Sequence, residues 1–400
     1  MITRRQILKT AAAGALVSAT PKIAFANAAT DARMVLVILR GAADGLAIAA
    51  PYGDGNYGKV RGELALSKPG KDGGLLKLDG LFGLHPSLTS VYDEYQKEQA
   101  TIIHAIASPY RERSHFDGQD VLENGGSKTG LLRDGWLNRA LAPLDGSLGS
   151  EPAIAMAQNT PLVLRGENSV TSWAPSQLPD ADDSTLARLQ RLYADDEFFA
   201  TRLAQALKSQ EIAADQMEMD GPRRRGNEAQ QTIALAQATA KFLTTDDGPR
   251  IAVLEAGGWD THANQGSDSG VLANRLSGLD DALAALRNGM GEQWSNTIVA
   301  VVTEFGRTVH VNGTRGTDHG TATAAILLGG ALQGGKVIAD WPGLARKDLY
   351  EGRDLRATAD TRSLFKGLLN EHLELDSAFL ERTVFPDSSS AVAMRDLVIT

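Results

Sequence analysis

The chain contains no cysteine. That excludes disulfides, thiolate zinc sites, iron–sulfur clusters, covalently attached c-type haem and cysteine nucleophiles. Any metal must therefore be held by His, Asp, Glu or neutral oxygens. No apolar run is long enough to span a bilayer. The segment after the first β-rich run, Arg40-Gly41-Ala42-Ala43-Asp44-Gly45, lacks the three-glycine spacing of a dinucleotide site, which argues against a nucleotide-dependent redox enzyme. There is no fixed-period repeat and no low-complexity linker. Positive charge is outnumbered: 40 Lys and Arg against 49 Asp and Glu give a net charge of -9. Such a balance argues against nucleic acid or an anionic membrane as partner.

What is present is 400 residues, 42% of them hydrophobic, enough for one large α/β domain. Residues 1–26 read as a targeting segment rather than part of the fold. Thr3-Arg4-Arg5-Gln6-Ile7-Leu8-Lys9 is a twin-arginine pattern, Ala11 to Ala19 is weakly apolar, and Ala24-Phe25-Ala26 offers a small-x-small cleavage site. This order predicts recognition by the twin-arginine translocase and a soluble, periplasmic mature protein. That pathway carries folded cargo, often with a cofactor already in place.

Residues 27–400 predict a doubly wound, mostly parallel sheet. Met34 to Leu39, Thr101 to Ile106, Ile251 to Leu254, Thr297 to Thr303 and Ala324 to Leu328 are unbroken apolar runs of the kind buried on both faces. Ala153 to Met156 and Leu162 to Leu164 are weaker strand candidates. Helices alternate with the strands: Pro86 to Gln99; the stripe Leu272, Leu276, Leu279, Leu283 and Leu286; and a helix capped by Asp360 and running to about His372. Residues 184–245 read as polar helices without a strand, broken by Gly221-Pro222-Arg223-Arg224-Arg225-Gly226, and predict a helical insertion on one face of the sheet.

Ligands of open parallel sheets bind beyond the carboxyl ends of the strands. The first run leads to Arg40 and Asp44, the second to Ser114, His115 and Asp117, the third to Asp260 and His262, the fourth to Glu304 and Arg307, while Asp318 and His319 enter the fifth. Carboxylates drawn together need a cation to offset their repulsion. If these ends converge, a divalent metal is the simplest compensator. Mixed Asp and His donors suit Zn²⁺ or Mn²⁺ better than Ca²⁺ or Mg²⁺. Each element also has a local explanation: Asp44 as a turn residue, Asp260 in an Asx-turn, Glu304 paired with Arg307, Asp318 bonded within its loop. Ser114 stands before a helix at Phe116 to Glu123 with Asp117 three positions on, which predicts an N-cap. The alternative is a nucleophile at a helix N-terminus. His85 and His104 read as structural, and Trp136, Trp259 and Trp341 as packing.

VILRGAADGL (37–46), GLHPSL (83–88), SPYRERSHFDGQD (108–120), DGWLNR (134–139), GGWDTHANQ (257–265), TEFGRT (303–308), GTDHG (316–320), GGKVIADWPGL (334–344) and GRDL (352–355), with the twin-arginine leader, together resemble the domain of unknown function 1501 family. The family in turn is similar to the alkaline phosphatase and sulfatase superfamily. That similarity implies metal ligands at Asp44, Asp260, His262, Glu304, Asp318 and His319, with Ser114 as nucleophile. His115, Arg40 and Arg307 complete the implied catalytic set, the arginines neutralising an oxyanion. One departure is visible: Glu304-Phe305 stands where the superfamily has an Asp-His pair. The implied function is a metal-dependent hydrolase of small phosphate or sulfate esters; the alternative is a non-catalytic periplasmic binding or envelope protein that keeps the fold.

Overall fold

Alternation of buried side chains along the first strand sets the architecture of the computed structural model, which describes residues 31–144, 152–175, 183–193, 196–217, 228–246 and 248–399. The leader at 1–26 and the Gly221–Gly226 break lie outside the described residues. Strand β1 (Arg33–Leu39) points Met34, Leu36 and Ile38 to one face and Val35, Val37 and Leu39 to the other, all buried. A strand apolar on both faces needs a helical layer on each side.

The remaining strands of the main sheet are β2 (Ala100–Ala107), β3 (Ala153–Ala155), β4 (Thr171–Ser172), β5 (Ile251–Ala256), β6 (Thr297–Thr303), β7 (Thr323–Leu328), β8 (Lys336–Ile338) and β9 (Ala359–Asp360). Their order is β8-β2-β7-β6-β1-β5-β3-β4, with β9 also paired to β2. Strands β5 and β6 flank β1 in parallel. Strand β7 is antiparallel to both β6 and β2. Two reversals restore direction, so β2 runs with β1, β5 and β6. The carboxyl ends of those four strands and the amino end of β7 therefore meet at one edge of the sheet. This is the mostly parallel α/β fold that the alternation of runs implies.

Helices α1 (Gly45–Ile48), α2 (Thr89–Gln96), α3 (His115–Asn124), α4 (Trp136–Leu141), α5 (Asp183–Tyr193), α6 (Glu197–Met217), α7 (Glu228–Thr244), α8 (Val271–Met290) and α9 (Thr361–Glu371) complete the frame. The leucine stripe of α8 packs with Phe242 and Leu243 of α7 on the Val35 face; Trp136 of α4 and Phe365 of α9 pack on the Met34 face. Asp360 caps α9 by accepting from Arg362 N at 2.8 Å. Asp280 of α8 caps α2 from across the layer, accepting from Ser90 N at 2.9 Å and Val91 N at 3.0 Å.

One sequence expectation is corrected. Leu162–Leu164 is a turn of 3₁₀ helix, not a strand. Pro161 opens it, and Leu164 N donates back to Pro161 O at 3.0 Å. The short strand β4 takes the place beside β3 instead. Within the 184–245 region, α7 precedes β5 and contributes buried residues to the core on the Val35 face. Its alanines at 236, 238 and 240 are buried, and Ala240 lies so close to α8 that a Cβ on Gly289 would be 2.6 Å from its own.

Candidate metal centre

The loops at the carboxyl edge bring three imidazoles together. His115 opens α3 after β2, His262 follows β5, and His319 lies in the loop entering β7. His319 Nε2 is 2.9 Å from His115 Nε2 and 3.0 Å from His262 Nε2. The Asp260 carboxylate joins them at 2.9 Å from His262 Nε2, 3.2 Å from His319 Nε2 and 3.4 Å from His115 Nε2. His115, Asp260 and His319 put one ligand atom each within 4.8 Å of one another. His262 adjoins this trio through His319 and Asp260.

The other ring nitrogens each face an acceptor. His115 Nδ1 faces Glu304 Oε1 at 2.8 Å, His262 Nδ1 faces Asp318 Oδ1 at 3.2 Å, and His319 Nδ1 faces the Arg113 carbonyl at 2.9 Å. Carboxylates and carbonyls only accept, so each Nδ1 carries the proton. A ring with its proton on Nδ1 and none on Nε2 turns the Nε2 lone pair toward the other two rings and Asp260. Lone pairs at 2.9–3.0 Å repel unless a positive charge lies among them. A tetrahedral zinc site with bonds near 2 Å separates its donors by roughly 3.3 Å, close to the distances between these donor atoms. The residues present fit a divalent metal of the zinc type. Imidazole donors exclude the all-oxygen shell of Ca²⁺.

Burial and partners set the charges. Hydrogen bonding to Glu304 raises the His115 pKa above its ordinary value against the opposing effect of burial. His319 is lowered, by burial first and then by the charges of His115 and Arg307. Burial acts to raise Asp260, but Arg307 and the histidines outweigh it and hold the carboxyl below its usual range. Burial likewise opposes ionisation of Glu304, yet His115, Gly41 and Thr303 keep it lowered. Asp318 is lowered first by the amide of Asn312.

Several expected roles change. Asp44 is not brought to the cluster. It caps α1, accepting from Leu46 N at 3.2 Å, and its other oxygen is bound by Arg61 and by Gln265 Nε2, the latter at 2.7 Å. Both oxygens of Asp44 are thus engaged, and its carboxylate is not among the gathered ligand atoms of His115, Asp260 and His319. Glu304 and Asp318 lie behind the cluster, orienting His115 and His262. Glu304 has no exposed surface and also accepts from Gly41 N at 2.9 Å and Gln119 Nε2 at 3.2 Å. Arg40 is paired with Glu123 at 2.6 Å and with Glu255, so it is not available to an oxyanion. Arg307 is buried, donating to Asp260 Oδ1 at 2.5 Å and to Thr317. It positions Asp260. His115, expected to act beside the nucleophile, stands among the donors.

Ser114 occupies the N-cap position of α3 but its side chain makes no cap hydrogen bond. Asp117 does not complete a capping box, and the Ser114 backbone N donates to the Tyr110 hydroxyl at 3.1 Å instead. Gly41 shows how closely the loops approach: φ is +119°, and a Cβ there would lie 2.7 Å from Asp260 N. Sequence reading missed Arg61, Gln265, Asn312 and the Arg113 carbonyl.

Of solved structures, the phosphonate monoester hydrolase of Agrobacterium radiobacter is 12% identical, with 85% of this chain and 73% of that chain covered and a TM-score of 0.41. The C-terminal periplasmic domain of EcEptC from Escherichia coli, in complex with Zn, is 9% identical over 76% of this chain and 74% of that chain, with a TM-score of 0.38. A sulfatase from Pseudoalteromonas sp. is 13% identical over 91% of this chain and 73% of that chain, with a TM-score of 0.36. No curated protein matches the chain. The family model described as protein of unknown function (DUF1501) matches residues 31–384. The span includes every strand of the sheet together with His115, Asp260, His262 and His319, and the chain belongs to the DUF1501 family.

Proposed function

We propose that this chain is an exported, metal-dependent hydrolase of small phosphate or sulfate esters. The observation that carries the reading is the convergence of three Nε2 lone pairs on the Asp260 carboxylate, with an acceptor behind every Nδ1. His115, His262, His319 and Asp260 would hold the cation, with zinc the best match to three imidazoles and a carboxylate. When bound, the cation supplies Lewis-acid polarisation of an ester oxygen and lowers the pKa of a nearby hydroxyl. Ser114 is the candidate nucleophile. It lies between Arg113, whose carbonyl holds His319, and His115, and its hydroxyl is not used as a cap. Arg307 fixes Asp260, and Glu304 fixes His115. Export rests on the twin-arginine leader, and no helix among the described residues is long and apolar enough to cross a membrane.

One observation favours a second reading, a non-catalytic envelope protein that keeps the cation for stability. Arg40 and Arg307, the cations expected to meet an oxyanion, are both committed to internal carboxylates. Metal content by elemental analysis, followed by assays on aryl phosphates and aryl sulfates with added Zn²⁺ or Mn²⁺, separates the two. The hydrolase reading requires turnover that Ser114→Ala abolishes while bound metal is unchanged. Metal without turnover on any ester supports the second reading. Protein that takes up no divalent metal overturns both.

A further inference from the structure

Arg113 has φ of +66°, a left-handed conformation unusual for a long L side chain. Its carbonyl accepts the His319 Nδ1 proton at 2.9 Å. The other end of the same peptide is also fixed, since Ser114 N donates to Tyr110 Oη at 3.1 Å. Relaxing Arg113 into an ordinary backbone region would rotate this peptide. The carbonyl would leave His319, and the start of α3 would move with the two residues that follow, Ser114 and His115.

The side chain holds the backbone in place. Its guanidinium donates from Nε to Asp354 Oδ2 at 2.8 Å and pairs at 2.5 Å with Glu351. Asp354 has no exposed surface, and its backbone bridges to Thr308, next to Arg307. Thr308 in turn donates from N to Asp318 O at 2.9 Å. The loop 350–354 thus clamps Arg113 from outside while the cluster uses its carbonyl inside. A strained residue persists where its surroundings over-determine it, and such places concentrate at functional sites.

We propose that Arg113 is a positioning residue for the cation centre. It aims its carbonyl at His319, so that Nε2 presents a lone pair, and Asp354 anchors it in the strained conformation that this requires. The inference rests on the metal reading above. Partners behind a ligand histidine commonly change metal affinity by about 10- to 100-fold when removed.

The test is titration of the full metal-free chain with Co²⁺ alone, read by its visible absorption bands and by dissociation constant, beside thermal melts of the metal-free proteins. Arg113→Ala should weaken binding about tenfold or more and alter the band pattern. Arg113→Lys, which keeps a cation for Asp354, should stay within about threefold and keep the bands. Asp354→Asn should weaken binding in the same sense as Arg113→Ala, and decides the matter if that variant does not melt cooperatively. A purely structural role would lower melting temperature and leave affinity and spectrum unchanged in the folded variants, which overturns the proposal alone. Wild-type protein that binds no Co²⁺ removes the metal reading and this proposal with it.

Discussion

Arg61 closes on the carboxylate of Asp44, and neither side chain has appreciable exposure, 0% and 1%. The pair lies where the sequence suggested a metal ligand. Gln265 completes it, bonding Asp44 through Nε2 while its Oε1 accepts from Thr261 and Thr317. These threonines flank Asp260 and Asp318, so the ion pair buttresses the centre from below without joining it. Removing one partner of a buried pair strands the other charge. Arg61→Ala should therefore cost about 3–5 kcal/mol of stability, measured by urea unfolding. Cation uptake per folded molecule should be unchanged. Loss of uptake with stability intact would return Asp44 to the donor set.

The donors are the direct case. A ligand that binds only the folded state at 100 times its dissociation constant stabilises by about 2.7 kcal/mol. Zn²⁺ should raise the melting temperature of the wild type, and His319→Ala should abolish that rise. His319 is the pivot, in contact with His115, His262 and Asp260. His310, exposed and remote from these contacts, is the matched control. Equal zinc stabilisation of both variants would show that the cation sits elsewhere.

Glu304 tests what lies behind the donors. Glu304→Gln keeps the shape but replaces the Oε1 that accepts from His115, Gly41 and Gln119 by an amide whose orientation must satisfy all three. With its oxygen at the Oε1 position the amide still accepts from all three, but without the charge that strengthens the bond to His115, and its nitrogen takes the place of the Oε2 that accepts from Thr303. Metal affinity should fall about 10- to 100-fold, measured by competition with a chelating dye. His115 also stacks on Phe305 at 5.1 Å, so the ring has a second constraint and the fold should survive. Undiminished affinity would make Glu304 a purely structural acid.

Periodicity and strand-end chemistry carried much of this. Apolar runs such as Thr297 to Thr303 mark strands because both faces of the sheet are covered, and the loops after them carry the His and Asp residues. Sequence could not say which acids face the centre. Asp44, Glu304 and Asp318 look like Asp260 in one dimension. What separates them is which side chains surround each one: Arg61 takes Asp44, Glu304 and Asp318 face the Nδ1 atoms of His115 and His262, and only Asp260 meets the Nε2 atoms of all three histidines. The Arg113 carbonyl was invisible because backbone groups have no sequence signature.

His104 separates structural from site histidines by pH. Its Nε2 donates to Ala49 O at 2.9 Å, its Nδ1 accepts from Ala105 N at 2.7 Å, and its ring stacks on Phe82 at 5.0 Å. An acceptor at Nδ1 leaves no room for a second proton. Burial lowers its pKa to about 4, although Ala49, Gly45 and Asp44 act in the other direction. The unfolded chain takes up the proton near pH 6.5, the folded chain only near 4. Between those values the unfolded state binds more protons, so stability falls as pH falls. The full contribution, reached near pH 4, is of order 3 kcal/mol. Buried His85 and His372 are lowered as well and act in the same sense. His104→Gln keeps an amide donor for Ala49 but does not titrate. Urea unfolding of the metal-free proteins should show a shallower loss from pH 7 to pH 5 in the variant than in the wild type. Identical slopes would mean that His104 takes up its proton in the folded state, against the hydrogen-bond geometry at Ala105.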